Sequence, residues 1–288
     1  MTCSELGPNV DETKCLICDK DNLYYPLSDK SSQCYLRTST IDHNYYNANN
    51  YRFEPCNASC LQCTSYGPSV SNTLCTADKC ATNYMPVVNQ TTQCYSKSTI
   101  VNHLYQHSDG YFHYCYDTCL TCTQEGNADD NALCDSCDVS RGFFPLENKT
   151  SDCYSITTKP AHTFKSSNGK IMYCNKACDT CSASGTVSYS NCDSCLTGYY
   201  PLATNSKVCL NDGVRDLYYP KYYLNFASLV YEQCSNECAT CSMSPDNCNT
   251  CVGGYFKIDG TNTCVGVPPS GYYLDNSDVT NVIYKKCH

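Results

Sequence analysis

Residues Cys234–Cys264, CSNECATCSMSPDNCNTCVGGYFKIDGTNTC, decide how the whole chain is read. They hold six cysteines in the order C-x3-C-x2-C, a short polar loop, C-x2-C, an aromatic pair and a last C. The same order recurs at Cys174–Cys209, Cys115–Cys153 and Cys56–Cys94, and in part at Cys3, Cys15, Cys18 and Cys34. With Cys287 these copies use all 29 cysteines, so the 288 residues form a tandem array with one plan. The third cysteines, Cys3, Cys63, Cys122, Cys181 and Cys241, lie 60, 59, 59 and 60 residues apart. Thr precedes four of them, as Thr2, Thr121, Thr180 and Thr240. The register divides the chain into a partial repeat at 1–55, repeats at 56–114, 115–173, 174–233 and 234–286, and the opening of another at 287–288. Both ends then fall inside a repeat, and the chain reads as a slice of a longer one.

Cysteine above roughly 8–10% marks a disulfide scaffold. The aromatic content is 27 Tyr with 7 Phe and no Trp, and Tyr prefers half-wet surfaces to deep interiors. Units of about sixty residues so poor in Leu, Ile and Val need covalent staples. So many disulfides require an oxidising place, extracellular and either secreted or at the cell surface. Three sequons agree with this, at Asn57, Asn89 and Asn148, and N-linked glycans are expected there. The net charge of −9 is spread without a basic stripe, which argues against nucleic acid. No run of 18 apolar residues spans a membrane in this segment, and no apolar leader follows Met1.

Between the third and fourth cysteines lies a loop with Gly four residues in, at Gly7, Gly67, Gly126 and Gly185. Gly there is expected to take a positive φ in a turn. The acidic stretch Glu125–Asp130 lacks the alternating ligands and terminal Glu of a calcium loop. An aromatic pair follows the fifth cysteine: Tyr24-Tyr25, Tyr84-Met85 with one ring only, Phe143-Phe144, Tyr199-Tyr200 and Tyr255-Phe256. Neighbouring strand residues face opposite ways, so one ring covers the adjacent bridge, while the other packs on the next layer or faces solvent. Spacers such as 95–114, 210–233 and 265–286 are rich in Tyr, Val, Ile and Thr around a turn-like centre, which is a hairpin signal. The fold expected is small, disulfide-rich and mostly β hairpins and turns, an elongated rod of cysteine-rich modules of about 59 residues with little helix.

C-x2-C also invites zinc, but a zinc ribbon needs two such knuckles. The six histidines, among them His43, His103, His107, His113 and His162, read as carrying no repeat register. Structural disulfides are therefore expected, with neither zinc nor calcium and no other cofactor. No G-x-S-x-G, P-loop or H-E-x-x-H is present, and an enzyme is not expected.

The order C-x3-C-x2-C…C-x2-C-x-x-G-Y-Y…C, seen at Cys174–Cys209, resembles the furin-like, growth-factor-receptor type of cysteine-rich repeat along the whole chain. The Tyr-, Asn- and Ser-rich version looks most like protist surface antigens and coat proteins of ciliate type. That resemblance implies bonds from first to third, second to fourth and fifth to sixth cysteine. The pairs implied are Cys18 with Cys34, Cys56 with Cys63, Cys60 with Cys75, Cys80 with Cys94, Cys115 with Cys122, Cys119 with Cys134 and Cys137 with Cys153. The rest are Cys174 with Cys181, Cys178 with Cys192, Cys195 with Cys209, Cys234 with Cys241, Cys238 with Cys248 and Cys251 with Cys264. Sequence alone leaves 15 pairings open for six cysteines. The leading functional expectation is a structural extracellular glycoprotein, a segment of a repetitive chain that self-associates into a cell-surface fibril, coat or appendage. A ligand-binding or adhesion ectodomain, or an antigenic surface protein, is the alternative.

Overall fold

A computed structural model describes residues 2–5, 14–69, 71–278 and 280–287. Gly7 and most of its loop, and His288, lie outside the described residues. The chain forms two compact units, 1–145 with 149–153, and 146–148 with 154–288. Both are built from short strands and turns, and the fold is one of small disulfide-rich β modules.

In unit one the bonded pairs are Cys18–Cys34, Cys56–Cys63, Cys60–Cys75, Cys80–Cys94, Cys115–Cys122, Cys119–Cys134 and Cys137–Cys153. In unit two they are Cys174–Cys181, Cys178–Cys192, Cys195–Cys209, Cys234–Cys241, Cys238–Cys248 and Cys251–Cys264. Cys3 and Cys15 stand opposite one another in an antiparallel pair of strands, Thr2–Glu5 and Lys14–Ile17.

Each cysteine group rests on one small ladder. Cys119–Cys122 pairs with Cys134–Cys137, placing the second cysteine opposite the fifth and the third opposite the fourth. Cys178–Cys181 with Cys192–Cys195, and Cys238–Cys241 with Cys248–Cys251, repeat that register. Cross-strand hydroxyls close at 2.6 Å in all three: Thr121 on Ser136, Thr180 on Ser194 and Thr240 on Thr250. Such facing pairs stabilise a ladder, which accounts for the recurrent Thr before the third cysteine. Where the knuckle widens to Cys75-x4-Cys80, only isolated bridges remain, Cys60 opposite Cys80 and Cys63 opposite Cys75.

The loop glycines differ from expectation. Gly67, Gly126 and Gly185 do not have positive φ. They are needed because a Cβ would sit 2.1, 2.1 and 1.8 Å from the carbonyl oxygens of Thr73, Ala132 and Ser190. Close backbone approach, rather than turn geometry, excludes a side chain there.

After each ladder comes a hairpin joined to the spacer hairpin by a parallel contact. Tyr84–Val87 pairs with Gln90–Ser96, and Val87 meets Phe112 of the spacer. In unit two Leu146 meets Ile171, Leu202 meets Tyr231 and Ile258 meets Tyr284 in the same way. The result is a second core beside the cystines, such as Met85, Val87, Leu104 and Phe112, or Leu202, Val208, Leu210 and Tyr231. The spacer at 210–233 departs from a plain hairpin, because Asp212–Tyr218 is α-helical. Asn211 caps it by accepting the Val214 amide at 3.0 Å. Among the described residues no helix is long and apolar enough to cross a membrane.

Candidate functional site

The aromatic pairs divide their work between the two cores. The first ring lies on the cystines of its own module: Tyr24, Tyr84, Phe143 and Tyr199 each pack against a cysteine cluster. The second position enters the sheet core at Tyr25 and Met85, and Phe144 is buried. Tyr255 breaks the pattern and is exposed.

A second set of rings comes from the spacers. Tyr45, Tyr105, Phe164 and Tyr223 pack on the cystines of the module that follows them. Each stands on the first strand of a spacer hairpin, and its cross-strand neighbour is Glu54, His113, Met172 or Glu232. Tyr273 faces Lys285 in the last hairpin. A ring recurs at this position, buried at Tyr105, Phe164 and Tyr223, half-buried at Tyr45 and exposed at Tyr273, while its partner changes in charge from copy to copy. This variable place is the candidate functional site.

Its chemistry follows from the loop that closes each hairpin. Glu54 accepts from Tyr45 Oη at 3.1 Å and Asn47 Nδ2 at 2.7 Å, with Asn50 on its other oxygen. Glu232 likewise takes Tyr223 Oη at 2.9 Å, Asn225 Nδ2 at 2.9 Å and Ser228 Oγ at 3.2 Å. The bond from Asn47 does most to hold Glu54 below the usual carboxylate range, and the bond from Tyr223 does the same for Glu232. In the last hairpin Lys285 Nζ sits on Asp275, which depresses the carboxyl and raises the ammonium. The second hairpin instead brings His107, Asp109 and His113 together. Asp109 Oδ2 accepts from His113 Nε2 at 2.8 Å, and Oδ1 lies 3.1 Å from His107 Nδ1. Desolvation would raise the Asp109 carboxyl, but bonds from His113, the Tyr111 amide and His107 outweigh it and bring it to about 2.

Three histidines overturn the reading that histidine has no register. His43, His103 and His162 occupy one repeated left-handed position, with φ of 62°, 64° and 58°. Their carbonyls accept the amides of Cys56, Cys115 and Cys174, each at 2.8 to 2.9 Å. Each Nδ1 donates to a carbonyl at the following ladder: Cys60 at 2.8 Å, Cys119 at 2.8 Å and Asp179 at 3.0 Å. The carbonyl fixes the proton on Nδ1. Lys221 and Gly271 accept from Cys234 and Cys287 at the same place. The signal was legible as a His 12 or 13 residues ahead of three of the first cysteines, Cys56, Cys115 and Cys174.

The sequons fall in two environments. Asn89 and Asn148 are exposed at the tips of equivalent hairpins. Asn57 is half-buried, with Nδ2 donating to Gly67 O at 2.8 Å and Oδ1 accepting Ser59 N and Oγ. Asn175 makes the matching bond to Thr186 O at 2.9 Å without being a sequon, so this Asn ties down its loop. Cys287 is exposed and has no disulfide partner among the described residues.

No protein-family model and no solved structure matches the chain. Over 168 residues, 57% of its length, it is 29% identical to cysteine repeat modular protein 2 of Tetrahymena thermophila, a ciliate. The matched region is 8% of that protein's length. The disulfide modules and this likeness support a cysteine-rich repeat protein and fit an extracellular structural or surface role.

Proposed function

We propose that the chain is a non-enzymatic structural part of a cell-surface fibril, coat or appendage, built from furin-like repeats and carrying N-linked glycans. The observation that carries this reading is the hand-off from each spacer to the next cystine group. A ring such as Tyr105 covers the following cystines, the His103 carbonyl accepts the Cys115 amide, and its imidazole bonds to Cys119 O. A flexible linker would leave both sets of contacts unmade. Self-association of such chains gives the fibril or coat. Electron microscopy of native, unreduced material tests it: filaments or a surface layer with a repeat set by the modules are expected. Isolated, unassociated molecules in native material would refute it.

The variable column favours a second reading, a ligand-binding or adhesion ectodomain. Glu54, His113, Met172, Glu232 and Lys285 stand at the equivalent place of five hairpins, each opposite a ring, and differ in charge. Alanine scanning against native surface extracts would then concentrate the loss of binding in one hairpin.

A further inference from the structure

The hairpin 104–114 differs from its neighbours in the kind of side chain at three positions that converge. His107, Asp109 and His113 each offer a ligand atom, all within 4.8 Å of one another, and His107 Nδ1 and His113 Nε2 lie 3.1 and 2.8 Å from the Asp109 oxygens. The support is a stiff turn: His107 N donates to Tyr111 O at 2.9 Å, Gly110 N donates to His107 O at 3.2 Å, and Gly110 has φ of 93°. That is a hairpin turn with a left-handed Gly, which fixes where the two strands place their side chains. Asp109 is further held because its Oδ1 accepts the Tyr111 amide at 3.0 Å. Below it, Tyr105 is buried and its ring lies 5.9 Å from that of His113.

The next copy shows that the turn does not need these residues. There Ser166 donates its amide to Lys170 O at 2.8 Å, Asn168 Oδ1 accepts the Lys170 amide at 3.0 Å, and Gly169 has φ of 80°. Ser166, Asn168 and Met172 stand where His107, Asp109 and His113 stand, on the same backbone. The histidines and the carboxylate are thus surplus to the fold.

One contact also points to a cation. His107 Nδ1 receives the Asp109 amide at 3.4 Å while facing Asp109 Oδ1 at 3.1 Å. A proton on Nδ1 suits the carboxylate but opposes the amide, and a lone pair suits the amide but opposes the carboxylate. A metal ion bound to both Nδ1 and the carboxylate replaces the repulsion between them by shared coordination, and gives up only the long 3.4 Å contact from the amide.

We propose that His107, Asp109 and His113 form a surface site for one divalent transition-metal ion, with zinc as the fitting ion. Two imidazoles and a carboxylate suit zinc, copper or nickel, and hard cations such as calcium prefer all-oxygen sets. Bonds of about 2.1 Å to tetrahedral zinc place ligand atoms about 3.4 Å apart, so modest side-chain rotation closes the set. Three ligands leave a fourth position for water or for a donor on another molecule. The site goes beyond the structural role and does not depend on it.

Calorimetric titration of the full, disulfide-intact chain with zinc chloride alone tests this. One strong site per chain is expected, and the ring signals of His107 and His113, not those of His43 and His162, shift in NMR spectra. The substitutions H107S, D109N and H113M install the next copy's residues, so folding is retained by precedent. Each should weaken zinc binding at least about tenfold, while H162A leaves it unchanged. Absence of a strong site, or a site that survives H113M, overturns the proposal.

Discussion

Replacing His43 by Ala and, separately, by Gly separates two opposing effects at the repeated left-handed position. His43 has φ of 62°, where a side chain costs about 1 kcal/mol. Its Nδ1 donates to Cys60 O at 2.8 Å, a bond worth about 1 kcal/mol net. His43→Ala keeps the strain and loses the bond, so the local structure should weaken by about 1 kcal/mol. His43→Gly loses the bond but relieves the strain, and should end near the parent. In an ordinary strand Gly is instead less stable than Ala by roughly 0.5–1 kcal/mol, so the two accounts predict opposite orders. The amide of Cys56 reports the result, since it donates to the His43 carbonyl at 2.8 Å. Its hydrogen exchange should quicken about fivefold in the Ala variant and hardly change in the Gly variant. Faster exchange in Gly than in Ala would refute the reasoning. A global melting curve is the poorer assay, because a repeat array need not unfold in two states.

Gly126→Ala would drive a Cβ to 2.1 Å from Ala132 O, and should cost about 1–3 kcal/mol as overpacking, read as lower thermal stability and secreted yield. Glu232 carries a depressed carboxyl pKa, chiefly through Tyr223. Its stabilising share is present above the ordinary value of about 4.3 and is lost as pH falls through the lower native value. The hairpin Tyr222–Gln233 should loosen on acidification, and E232Q should remove that step from a pH series of amide exchange. Peptide mass spectrometry of native material should find glycan at Asn89 and Asn148, with lower occupancy at Asn57, whose amide nitrogen is already bonded to Gly67 O. High occupancy at Asn57 alone would contradict that order.

Much of the fold was legible because one cysteine order recurs and the composition is too poor in Leu, Ile and Val for a single large core. The repeat period, the hairpins and the small helical content all follow from order and composition. What escaped depended on backbone approaches within loops, on one short helix and on side chains that a turn brings together. Gly126 looked like a turn residue because the carbonyl it must avoid, on Ala132, belongs to the far side of the loop. The helix Asp212–Tyr218 has too few residues for periodicity to show, although Asn211 as a cap was readable. His43, His103 and His162 were set aside because their intervals to the first cysteine differ by one residue, yet all receive the same amide. The His107, Asp109 and His113 group was invisible until a turn folded it together.

The spacer hairpin serves two neighbours at once. In one, Leu104 and Phe112 belong to the preceding sheet core while Tyr105 belongs to the following cystines. No cut between copies therefore leaves both sides whole. Gene rearrangement meets a different rule: a crossover anywhere in one copy, rejoined at the same point of another, restores both faces. Loss or gain is harmless in whole periods and ruinous in fractions. Array length can therefore drift freely while phase is kept, and copies that trade places carry their own hairpin chemistry with them.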